Sequence, residues 1–149
     1  MEREVRVTVT GVHKHPGLDS QETKSECKGI LREENGKYII EYEEYLSEEA
    51  PEDFRGGVAT YNMVTITPEE MTIVRKGSVE SELSFRSGLE HVSDYKTPFG
   101  AMKTRVNTTK YNLYSLEKGN RLIAEAEYTV SMNGMALSEA LMRMDIVFT

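Results

Sequence analysis

The chain has 149 residues, enough for one buried core, and 38% hydrophobic against 29% charged residues mark a globular rather than a disordered protein. A net charge of −7 sets the field of the whole molecule against phosphate backbones, so no nucleic-acid partner is expected. No apolar run approaches the ~18 residues of a spanning helix, so no membrane span is expected either.

Period-2 alternation predicts strands from the first residues onward. Val5, Val7 and Val9 share one face, and Arg6, Thr8 and Thr10 the other. In QETKSECKGIL, Glu22, Lys24, Glu26 and Lys28 alternate with Thr23, Ser25, Cys27 and Gly29, giving a strand with one wet face. GKYIIEYEEYL places Tyr38, Ile40, Tyr42 and Glu44 on one side and Ile39, Glu41, Glu43 and Tyr45 on the other. SEEAPEDFRGG, acidic and broken by Pro51 and Gly56-Gly57, reads as the longest loop. VATYNMVTIT follows, then a turn at Thr67-Pro68, EMTIVRKG, VESELSFRSG, LEHVSDYKTPFG and AMKTRVNTTKYNLYSL. A turn at Lys118-Gly119-Asn120 leads into RLIAEAEYTVSM.

The tail carries two conflicting signals. MALSEALMRM is rich in helix formers, and Leu137, Leu141 and Met144 fall at helical spacing. Ala140, Met142, Met144, Ile146 and Phe148 nevertheless keep one strand parity, and the preceding Asn133-Gly134 is a strong hairpin signal that demands an antiparallel partner. The tail therefore reads as a strand. Roughly nine or ten strands at about 8–12-residue spacing, with no long helix, predict one all-β domain over residues 1–149, an antiparallel sandwich or a barrel. Consecutive hairpins favour up-and-down order.

YIIEYEE, TITPEEMTIVRKG, ELSFRSG and YKTPFG, in that order, resemble the YwiB-like family of uncharacterised bacterial lipocalin-like β-barrels. The most specific piece is the succession Tyr95, Thr97, Pro98 and Gly100 after the strand end Arg75-x-Gly77. The resemblance implies a single antiparallel lipocalin-like (calycin) up-and-down barrel of about eight to ten strands. It implies no activity, since the family is one of unknown function, and a fold alone assigns none. Tyr38, Tyr42, Met71, Leu83, Phe85 and Tyr95 are inward candidates bulky enough to fill such a barrel, so an open and a packed interior both stand.

Candidate site residues are few. Glu44 and Arg75 each lie on an otherwise apolar strand face, where a charge must pair or bind something. They read as a structural ion pair at the rim or as the polar anchor of a carboxylate or amide ligand. Tyr42, Phe85 and Tyr95 would then supply aromatic walls. Arg105 and Lys103 read as an outer face, with Arg105 turned inward beside Glu44 if a bulge reverses the parity. YKTPFG reads first as a corner: Pro98 cannot donate to a ladder and Gly100 permits an otherwise forbidden φ. A corner at a barrel mouth also borders any pocket.

Catalytic and metal signals are absent from the pattern. His13-x-His15 sits beside Pro16-Gly17 and reads as loop, with no third ligand at a suitable spacing. SEEAPED lacks the glycine and spaced oxygens of a calcium loop. There is no Gly-x-Ser-x-Gly elbow or glycine-rich phosphate loop, and Cys27 has no neighbouring histidine. As the single cysteine, Cys27 also rules out an internal disulfide and a zinc–cysteine cluster. MEREVRVTV lacks an apolar signal core, so the cytoplasm is the expected compartment. No cofactor or metal is expected. The leading reading is non-enzymatic binding of a small, partly apolar or amphipathic molecule in the barrel; the alternative is a packed module that binds a protein partner.

Overall fold

In the computed structural model, which describes residues 2–14, 17, 19–45, 59–77, 80–97, 100–133 and 138–149, the alternation becomes ten strands. They are β1 (Glu2–Lys14), β2 (Gln21–Glu34), β3 (Lys37–Tyr45), β4 (Ala59–Ile66), β5 (Glu70–Gly77), β6 (Ser81–Arg86), β7 (Glu90–Thr97), β8 (Gly100–Leu116), β9 (Arg121–Met132) and β10 (Ser138–Phe148). The SEEAPEDFRGG loop, His15, Pro98, Phe99 and Gly134 lie outside the described residues.

All ten strands form one antiparallel sheet in the order β6-β5-β4-β3-β2-β1-β10-β9-β8-β7. Every neighbour but one is a sequence neighbour, the exception being the pairing of β1 with β10, Val5 opposite Phe148. The outermost strands, β6 and β7, meet through a single bridge in which Glu80 and Lys96 exchange N–H···O bonds of 2.8 and 2.7 Å. The result is a nearly closed up-and-down barrel. The last residues of β1, β3, β5, β7 and β9 and the first of β2, β4, β6, β8 and β10 share one end, the mouth; the opposite strand ends and Thr149 share the floor.

Local chemistry sets the floor turns. Asn35 (φ 50°) and Gly36 (φ 78°) form the two-residue turn between β2 and β3 that favours positive φ at both positions. Thr67 Oγ1 accepts from the backbone N–H groups of Glu69 and Glu70 at 3.3 and 3.1 Å, fixing the β4–β5 turn. Gly29 marks a close approach in the wall: a β-carbon there would lie 2.9 Å from the Glu41 carbonyl oxygen.

Inward residues of one parity build the core. Val5, Val7, Ile40, Val64, Ile66, Met71, Ile73, Phe85, Leu122, Met144 and Ile146 are buried towards the floor. In β8 the inward set runs Thr104, Val106, Thr108 and then Tyr111, because a bulge between Thr108 and Lys110 switches parity. Tyr111 donates its O–H to the Thr67 carbonyl at 2.9 Å. The helix-prone tail is a strand, with Ala140, Met142, Met144 and Ile146 buried, because pairing on both sides overrides its propensity.

Candidate functional site

Towards the mouth the interior opens into a cavity of about 320 Å³, walled by Leu83, Val130, Met132 and Met142 and bearing Arg75, Tyr95, Thr104 and Tyr128. β5 delivers Arg75 at its mouth end, one residue pair beyond the buried Ile73. β7 delivers Tyr95 on the same parity as Ser93. Beneath them Phe85 is fully buried, its ring 4.8 Å from that of Tyr128 and tilted by 55°. Burial pushes the Tyr128 phenol up to about 12, against a smaller opposing pull from the Arg75 charge, so the cavity wall carries a neutral hydroxyl at any ordinary pH.

The structure thus brings Arg75 and Tyr95 together at one cavity, with Phe85 as the packed floor below. Tyr42 is buried and inward, but it borders a different opening: a cleft of about 740 Å³ where β2 and β3 diverge, shared with Cys27, Glu41 and Tyr61. Glu44 stands opposite Thr60 in the β3–β4 ladder, and its side chain lies outside the described residues. Arg105 faces outward and pairs with Glu90 at 3.3 Å. The bulge in β8 falls after Arg105, between Thr108 and Lys110, so it does not turn this residue inward. Arg75 itself makes no ion pair among the described residues, and its Nε is buried without a hydrogen-bond partner.

A family model described as a domain of unknown function (DUF1934) matches residues 7–144. The chain belongs to this family. The crystal structure of the ywiB protein from Bacillus subtilis superposes with a TM-score of 0.81 at 17% identity, over 99% of this chain and 93% of that one, a likeness of fold. No curated protein matches.

Other residues of this DUF1934 barrel reach the same region without having stood out in the sequence. His13 belongs to β1, opposite Ala140 and Gln21, and lines the cavity rather than sitting in a loop, because the strand runs on to Lys14. Asn62, fully buried, sits between Tyr42 and Arg75 in the ladders and donates to the Thr60 carbonyl at 3.2 Å. Ser81 is the partner of Arg75 on β6, and Ser93 that of Thr104 across β7 and β8. Their signal was small polar residues sharing a parity with apolar ones, which also describes any strand face open to water. Among the described residues no cluster of three His, Cys, Asp or Glu side chains is placed to hold a metal.

Proposed function

We propose that this barrel is a bacterial, cytoplasmic, lipocalin-like carrier that binds a small, partly apolar molecule in its mouth cavity and performs no chemistry on it. The observation that carries this reading is an apolar cavity of about 320 Å³ into which one permanently charged side chain, Arg75, projects without a counter-charge among the described residues. A volume of roughly 300 Å³ or more is the range of small-molecule sites. A half-buried guanidinium whose Nε is shut off from solvent without a hydrogen-bond partner costs free energy that a ligand recovers. Tyr95 and the neutral Tyr128 offer ring faces and hydroxyls to orient the guest.

The test is a native mass spectrum of the protein purified from its own host, set beside the denatured mass. The expected result is a non-covalent adduct that is lost in Arg75→Met. A bare mass under gentle conditions, with no melting-temperature shift across a library of small amphiphiles, rejects the carrier. It would favour the packed protein-interaction module, for which the filled floor half of the interior speaks.

A further inference from the structure

Barrel walls are normally continuous ladders, and this one has a slot. The Glu80–Lys96 bridge closes the β6–β7 seam at the mouth end and the turn at Ser87–Gly88 closes it at the floor. Between them, the link among the described residues is a contact of 3.2 Å from His91 Nε2 to the Glu82 carbonyl. A recess of about 660 Å³ lies along the outside of this slot, and Arg75, Ser81 and Ser93 line it. Arg75 also lines the interior cavity, so slot and cavity share this residue.

The groups gathered there are short of partners. Arg75 Nε, Ser81 Oγ, Ser93 Oγ and Thr104 Oγ1 are buried from solvent with no hydrogen bond among the described residues. Ser81 and Thr104 are only 7% and 3% exposed, so water at the surface does not serve them. Native proteins satisfy nearly all such atoms, and a concentration of exceptions in one wall segment requires a cause. Arg75 and Ser81 are direct cross-strand partners, as are Ser93 and Thr104, so the four flank the slot from both sides. All four can donate a hydrogen bond.

Resting on the carrier reading, we infer that the slot is the headgroup site of an anionic ligand, a carboxylate whose apolar tail lies in the cavity. Arg75 supplies the charge and a planar fork that fits two carboxylate oxygens; Ser81, Ser93 and Thr104 donate to the same oxygens. The sign follows from the charges on either side. Outside the slot Lys76 and Lys96 stand against Glu80, Glu82 and Asp94, a slight acidic excess that Arg75 cancels, so the positive charge is concentrated at Arg75 itself. Inside, Arg75 is the permanent charge among the described lining residues, so an anion neutralises it and a cation is repelled. The tail packs on Leu83, Val130 and the pliable Met132 and Met142, a surface that tolerates several chain shapes.

The experiment titrates octanoate, octanol and octyltrimethylammonium into the full chain by calorimetry, with wild type, Arg75→Met, Ser93→Ala/Thr104→Val and Val130→Phe. The expected result is octanoate binding at least ~10-fold tighter than octanol, with no octyltrimethylammonium binding. Arg75→Met removes the preference for octanoate while leaving octanol unchanged; the double variant weakens octanoate severalfold; Val130→Phe, which fills the cavity, weakens both. Where Arg75→Met does not fold, Arg75→Lys is read instead, keeping the charge and losing the fork, with partial loss of octanoate expected. Equal binding of octanoate and octanol, indifferent to Arg75, overturns the anion site and leaves the carrier standing. Binding indifferent to Val130→Phe, or no binding of any of the three probes, overturns the carrier and the anion site together.

Discussion

Tyr128 is a hydroxyl on a cavity wall, buried over Phe85 and near Arg75, and its displaced titration ties that position to global stability. In the unfolded chain the phenol loses its proton near pH 10; in the folded barrel desolvation holds it until about 12. Between those values the folded state carries the extra proton, so stability is unaffected below about pH 10 and falls as pH rises above it. The slope is roughly 1.4 kcal/mol per pH unit for one such group. Burial raises Tyr111 in the same direction, and that residue also donates to Thr67. The expected outcome is a urea midpoint that is level from pH 7 to 9 and drops beyond 10, with a shallower drop in Tyr128→Phe. Superimposable pH profiles for the two proteins would show that the phenol is solvated and that the wall beside Arg75 is wet.

A slot in a ladder has consequences along its two strands. Lys96 turns its N–H to Glu80, so by the alternation of an antiparallel strand Val92 and Asp94 turn theirs to the seam while Ser93 and Tyr95 face β8. On β6 the seam-facing N–H groups are those of Glu82 and Ser84, two and four residues beyond Glu80. Amide exchange followed by NMR is expected to be at least ~10-fold faster at Glu82, Ser84, Val92 and Asp94 than at Val7 and Val9, which lie between two paired strands. Uniform protection across β6, β7 and β1 contradicts the slot. Much of this scale was legible in the sequence. Period 2 placed nine or ten strands because a half-buried pleat imposes it, and the Asn133-Gly134 signal outweighed the helix propensity of MALSEALMRM. The slot was not legible, since which strands fail to pair is decided by closing a ring, not by any one strand. The same limit applied to the site: Arg75 stood out as a charge on an apolar face, whereas Ser81, Ser93 and Thr104 carry no charge to single them out, and only the ladder places them around it. His13 was misread because Pro16-Gly17 signals a turn without saying how many residues of strand precede it.

For the whole molecule, one joint differs in kind from the others. Eight of the nine seams in the sheet order join strands adjacent in sequence, but β1–β10 joins residues such as Val7 and Ile146 from opposite ends of the chain. Forming it early confines nearly the full chain before most hairpins exist, a loop-closure cost that hairpin contacts do not carry. The ring is therefore expected to assemble from local meanders and to close last at β1–β10. Two buried isoleucines separate the cases: Ile146 in β10, opposite Val7, and Ile73 in β5, between Val64 and Leu83. Trimming either to valine removes one buried methylene and costs about 0.5–1.5 kcal/mol at equilibrium. The kinetic partition is expected to differ. Ile146→Val speeds unfolding and leaves the folding arm of the chevron unmoved, whereas Ile73→Val slows folding. The reverse pattern would place the terminal strands in the folding nucleus, and the barrel would then grow outward from its termini towards β6 and β7, leaving the slot as the last part of the wall to form.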